Sequence, residues 1–229
     1  MNGKALQTAR KKLGLTQVEA AKKLGVSQAY FSLFEKGKRP VTSKIAKKAV
    51  YLFKMPPTAL PLEKELKNVR PATNEKFVKQ LAAYSYPGYT HVKASGLKNP
   101  VEVLISALST NNLESRLVEA LPWLLLQFLD LEWRNLVDAA KLNDLQNRLG
   151  FLTSVAHRLA EKSGDTEKAA QFKRRLEKLE KSRLVKEDTL CRQNMTEAEK
   201  RWILQNRSAE AEHWNIISDL SADHLQFVK

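Results

Sequence analysis

The sequence predicts an all-α protein in two parts: an N-terminal helical domain, residues 1–70, and a helical C-terminal domain, residues 71–229. Three observations lead there. Polar residues followed three positions later by glutamate recur, at Thr16–Glu19, Asn111–Glu114 and Thr196–Glu199, and such pairs satisfy the free amides that open a helix. Apolar residues return at the three- and four-residue spacing of one helix face, as in Leu113, Leu117 and Leu121, and again in Leu145, Leu149, Leu152 and Leu159. Four prolines, Pro56, Pro57, Pro61 and Pro71, crowd one stretch. They oppose a continuous long helix there, and a domain boundary near residue 70 accounts for them.

The opening elements are the most legible. In "LTQVEAAKKLGVSQAYFSLFEKGKRP", Thr16 and Glu19 form a capping box that starts a helix at Gln17. Ala20, Ala21 and Leu24 give that helix a small apolar face, and Ala21 permits close approach of the next helix. Gly25 suits the left-handed conformation that ends a helix and turns the chain. Val26 turns back to the core, and Ser27 caps a second helix running from Gln28 to about Lys36. Phe31 and Phe34 face the first helix, Gly37 ends the second, and Arg39–Pro40 leads to another helix starting near Thr42 or Ser43. With Leu6 and Ile45, the apolar members of this set make a self-contained small core. Two helices joined by a glycine turn make a helix-turn-helix, whose second helix lies in the DNA major groove with its N-terminal residues at the base edges. Gln28, in its first turn, is suited to bidentate pairing with adenine. Gln17, beside a helix N-terminus, suits a phosphate.

Charge agrees with this reading. Residues 1–70 carry 16 Lys and Arg against 4 Asp and Glu, a net of +12, whereas residues 71–229 carry 23 against 21, a net of +2. A basic field confined to one end of a chain is what a polyanion-binding module needs, because each neutralised phosphate releases condensed counterions.

Residues 3–55 resemble the Cro/lambda-repressor-like DNA-binding domain of the XRE family, through "ALQTARKKLGLTQ", "AAKKLGVSQAYFSLFEKGKRPV" and "KIAKKAVYLF". The resemblance covers about a quarter of the chain, with turn, caps and flanking helices in matching order. It implies a five-helix domain in which Arg10 of the first helix pairs with Glu35 late in the recognition helix. It also implies that Gln17, Ser27, Gln28, Ala29 and Ser32 line the DNA side, with Lys36, Lys38, Arg39 and Ser43 near phosphates. Leu33 departs from the family pattern, which often has a polar or basic residue there; it either touches thymine methyls or marks altered base readout.

Beyond the boundary, "YSYPGYTHVKASG" (Tyr84–Gly96) reads as a short hairpin or a packed loop. Asn99-Pro100-Val101-Glu102 then combines an N-cap, a proline at the first helical position and a returning glutamate. Pro122 is expected to kink or restart its helix. Ala169, Phe172, Leu176 and Leu179 make the apolar stripe of an amphipathic helix within residues 166–186. Between Ser115 and Phe151, the aromatic and leucine content, including Trp123, Phe128 and Trp133, exceeds what one helix face can bury. A bundle core accounts for it; a dimer or partner interface is the alternative. Residues 98–151 also resemble the C-terminal regions of XRE-type antitoxins from toxin–antitoxin or phage-defence operons.

Several classes are disfavoured. The best candidate membrane span, Leu117–Leu129, is too short and contains Glu119 and Pro122, and the N-terminus lacks the apolar run of a signal peptide, so a cytoplasmic protein is expected. The single cysteine, Cys191, excludes an intramolecular disulfide and a cysteine-clustered zinc site. His91, His157, His213 and His224 lack ligand spacing, so neither a metal nor a cofactor is expected. Only Gly88, Gly96, Gly150 and Gly164 follow residue 37, too few for the β-rich self-cleaving domain of some regulators, and no enzymatic role is expected. The expected function is a sequence-specific transcriptional regulator, a repressor binding double-stranded DNA at a palindromic operator as a homodimer. The alternative is an antitoxin that neutralises a cognate toxin and autoregulates its operon.

Overall fold

The computed structural model describes residues 1–62, 66 and 69–225. It is all-α, with twelve α-helices and one pair of two-residue strands among the described residues. Two compact units divide the chain: residues 1–63 with 97–99, and residues 64–96 with 100–229.

In the first unit, α1 (Gly3–Lys12), α2 (Gln17–Leu24), α3 (Gln28–Glu35) and α4 (Ser43–Leu52) follow one another across short turns. The local signals explain each boundary. Thr16 and Glu19 form the reciprocal capping box of α2, and Gly25 closes that helix at φ 76°. Ser27 accepts the Tyr30 amide to start α3. The family resemblance called for a fifth helix; among the described residues its place is taken by one 3-10 turn, Pro57–Ala59. Proline supports a turn's first position but has no amide to continue a helix. Leu6, Ala20, Phe31, Phe34, Ala46 and Ala49 are fully buried. Phe31 and Phe53 meet edge-on at 6.5 Å between ring centroids. Gly3 allows α1 to run against the end of α3, since a Cβ there would lie 2.3 Å from the Phe34 carbonyl oxygen. The returning segment 97–99 belongs to this unit: Leu97 packs on its core, and the Asn99 amide donates to the Thr58 and Leu60 carbonyls at 3.2 and 2.7 Å.

The second unit contains α5 (Asn74–Ala83), α6 (Pro100–Leu108), α7 (Ser115–Gln127), α8 (Trp133–Leu142), α9 (Gln146–Lys162), α10 (Thr166–Glu180), α11 (Glu197–Asn206) and α12 (Ala209–His213). Its axis is α9, which is buried on nearly all sides and packs against α7, α8, α10 and α12. Gly164, at φ 72°, turns the chain into α10, whose start Asp165 caps through the Lys168 amide. Trp214 lies flat against α9 at Gly150, where a Cβ would sit 2.3 Å from the indole, and its Nε1 donates to Ser154 Oγ at 2.8 Å. Polar residues of α9 organise the segment beyond α10. Arg148 grips Asp188 through Nε and Nη2 at 2.6 and 2.8 Å, while its Nη1 donates to the Leu108 and Thr110 carbonyls. Asn147 exchanges hydrogen bonds with the backbone of Leu184. So held, β1 (Asp188–Thr189) pairs in parallel with β2 (Ile216–Ile217).

Two expectations for this unit change, and of two alternatives left open for residues 84–96 the packed loop is the one found. No helix starts at Asn111, because residues 111–113 are bonded to residues 191–193: the Asn111 carbonyl accepts from Gln193, and the Leu113 amide donates to Cys191. The helix begins instead at Ser115. Pro122 does not interrupt α7; the helix continues to Gln127 with Leu121, Pro122, Leu124 and Leu125 buried, so tertiary burial outweighs one missing amide bond. Residues 84–96 form a packed loop with a 3-10 turn at Pro87–Tyr89, not a hairpin. Its aromatic rings meet α7 and the residue that ends it, Tyr86 against Trp123 at 4.9 Å and Tyr84 against Phe128 at 5.1 Å. Much of the leucine and aromatic excess of residues 115–151 is thereby used inside the unit.

Candidate nucleic-acid interface

The heads of α2 and α3 meet through a chain of hydrogen bonds that starts in the core. Arg10 donates through Nε and Nη2 to the two Glu35 carboxylate oxygens at 2.6 and 3.2 Å, and through Nη1 to the Leu15 carbonyl at 2.7 Å. Both residues of this ion pair are buried. Glu35 also accepts from Gln17 Nε2 at 2.7 Å, and Gln17 Oε1 accepts from Gln28 Nε2 at 2.9 Å. The buried pair therefore fixes the Gln17 amide, and Gln17 in turn orients Gln28, which is exposed at the first position of α3. This bond uses one of Gln28's two N–H groups. The other N–H and the Oε1 acceptor remain, and these are the two groups that bidentate pairing to adenine requires.

The other expected residues surround this pair without forming a further network. Ser27 is exposed and caps α3. Ala29 is exposed, while Ser32 and Leu33 are half-buried. The Leu33 carbonyl accepts the Lys38 and Arg39 amides at 2.9 and 3.3 Å, shaping the turn that carries those two cations. Lys36, Lys38 and Arg39 are exposed, with the Arg39 guanidinium 5.9 Å from the Tyr30 ring centroid. Ser43 opens α4, whose N-cap Thr42 makes no side-chain capping bond. The first turn of α4 therefore lacks the side-chain cap that α2 and α3 have.

Burial sharpens the charge asymmetry. Every lysine from Lys4 to Lys54 is exposed, as is Arg39. Of the acidic residues in 1–62, Glu35 is buried and neutralised by Arg10, leaving Glu19 as the exposed one. The uncapped start of α4 and the stacking of Arg39 on Tyr30 had no signature in the sequence. The Gln17–Gln28 bond had one signal, two glutamines at the heads of consecutive helices.

Cys191, the other residue with reactive potential, is fully buried and donates to the Ala107 carbonyl at 3.3 Å. Burial pushes its thiol up to about 12, against the opposing effect of the Arg148 guanidinium. A thiol so seldom ionised is a weak nucleophile.

Among the described residues, no helix is long and apolar enough to cross a membrane. Residues 6–60 match a family model described as helix-turn-helix. Comparison with curated proteins and with solved structures found no match. Residues 6–60 are therefore a Cro/lambda-repressor-like helix-turn-helix segment of the XRE family, and the segment supports a DNA-binding regulator of that type.

Proposed function

We propose that the protein is a sequence-specific transcriptional repressor that occludes a promoter by binding a palindromic operator as a homodimer. The observation that carries this reading is the Gln28–Gln17–Glu35–Arg10 chain, which holds an exposed recognition amide in place from the core outward. Preorganisation of that kind lowers the ordering cost of a base contact. In this reading α3 enters the major groove and Gln28 reads a base, with Ser27, Ala29, Ser32 and Leu33 close to the groove. Gln17 at the head of α2 takes a phosphate, as do Lys36, Lys38, Arg39 and Ser43 with the first amides of α4. One recognition helix spans only a few base pairs, so two copies held by residues 71–229 supply specific affinity through two half-sites.

Selection of bound duplexes from a random pool, followed by titration of the selected site, tests this. The expected product is a two-fold symmetric motif with half-sites about one helical turn apart. Its affinity is expected to fall on the order of 10³-fold or more between 50 and 200 mM salt, for roughly 6–10 neutralised phosphates. An asymmetric or absent motif, or a flat salt response, rejects the proposal.

A further inference from the structure

The second unit holds a buried guanidinium that its own fold leaves incompletely bonded. Arg175 of α10 is only 6 % exposed. Its Nη2 donates to the Leu129 carbonyl at 2.5 Å, and its guanidinium carbon stands 4.6 Å from the centre of the Trp133 ring. Its Nη1 is buried with no acceptor, and so is the indole Nε1 of Trp133. Asp130 contributes an opposing charge without bonding Nη1, and burial draws the Arg175 pKa down to about 10. The two side chains that carry these donors touch each other and line one open cleft, with the donor atoms themselves beneath its surface. Around them the cleft carries Arg174, Lys178 and Lys181 against the single carboxylate of Glu177.

Each missing partner is an acceptor, and the surrounding charge is positive. We propose that this cleft is a binding site for a small phosphate-type oxyanion, an inorganic phosphate or the phosphoryl end of a phosphorylated small molecule. One tetrahedral oxyanion can accept from Arg175 Nη1 and Trp133 Nε1 through separate oxygens while the rim cations balance its charge. DNA fits the cleft less well. The unpaired donors lie beneath the cleft surface, so a duplex backbone would meet the rim lysines first, and an oxyanion that bonds both donors has to part the Trp133 and Arg175 side chains from their neighbours. The proposal is independent of the DNA-binding reading, since every residue it uses lies in the second unit.

The test uses the full chain labelled with ¹⁵N and follows the indole N–H resonances of its 4 tryptophans, with Trp133→Phe assigning that of Trp133. Sodium phosphate, then pyrophosphate, is titrated against sodium chloride at matched ionic strength. The expected result is a saturable shift of the Trp133 resonance with the oxyanions alone. Binding is expected to weaken by about tenfold or more in Arg175→Lys, which keeps the charge but loses the fork. Lys178→Gln with Lys181→Gln, on the exposed rim, is expected to weaken it about two- to fivefold and remains informative if Arg175→Lys does not fold. A Trp133 response equal to that of chloride overturns the site, as does oxyanion affinity unchanged in folded Arg175→Lys or in the double rim variant. A resonance that moves only with a short duplex overturns it in favour of a DNA contact.

Discussion

Each unit of the protein is built over a buried arginine, and the two arginines end differently. Arg10 lies under the heads of α2 and α3 with three of its nitrogens bonded, two to the Glu35 carboxylate and one to the Leu15 carbonyl. Arg175 lies under α10 with one carbonyl, two aromatic rings and an unbonded Nη1. Burial is nearly the same, 8 % and 6 % exposed. A fully bonded buried charge is a fixed point from which other groups are positioned, as Gln17 and Gln28 are here. An incompletely bonded one contributes little to folding, and at Arg175 it is the basis of the oxyanion site proposed above. Arg148 belongs with the first kind: Asp188 and two carbonyls absorb it, and β1 is held in place as a consequence.

Substitution can break this comparison. Arg10→Met leaves Glu35 buried without its cation and is expected to cost about 3–5 kcal/mol in urea unfolding, the scale for removing one partner of a buried pair. Gly150→Ala tests the packing of Trp214 against α9. Its new methyl meets the Trp214 indole at 2.3 Å, so a loss of about 1–3 kcal/mol is expected, with a change in tryptophan fluorescence. Arg175→Met gives the smallest expected effect. Leu129 keeps the Gln171 amide as a donor at 3.1 Å, and exchanging an incompletely paired charge for an apolar chain leaves stability within about 1 kcal/mol. A large loss from Arg175→Met, or a small one from Arg10→Met, would erase the distinction.

The N-terminal unit was legible because its instructions are local. Thr16 with Glu19, Gly25 and Ser27 each act within one turn of the chain, and the structure uses all of them as read. The pairing of Arg10 with Glu35, 25 residues apart, came through the family resemblance and is present. In the second unit the decisive partners are distant. The parallel pairing of residues 188–189 with 216–217 is too short to leave a periodic pattern, and it depends on Arg148 forty residues away. Asn111 reads as a cap until the 191–193 segment bonds its neighbourhood. Leu97 and Asn99 lie past the boundary read at residue 70, yet pack with the N-terminal unit. At the candidate interface, residue types could be read from the sequence, but the link from Gln28 to the buried pair could not. Nor could the orphaned donors of Arg175 and Trp133, since an absent partner is visible only once the neighbours are in place.

In the proposed complex Gln28, held by Gln17, reads a base. Binding of Gln28→Ala and Lys38→Ala to every single-base variant of the selected site, measured by fluorescence anisotropy at fixed salt, tests it most directly. Gln28→Ala is predicted to erase about 1–3 kcal/mol of discrimination at one base pair in each half-site, leaving preferences elsewhere intact. Lys38→Ala is predicted to weaken all sites evenly and to lower the salt slope by about one. A Gln28→Ala profile that matches the unsubstituted protein at every position would contradict the claim.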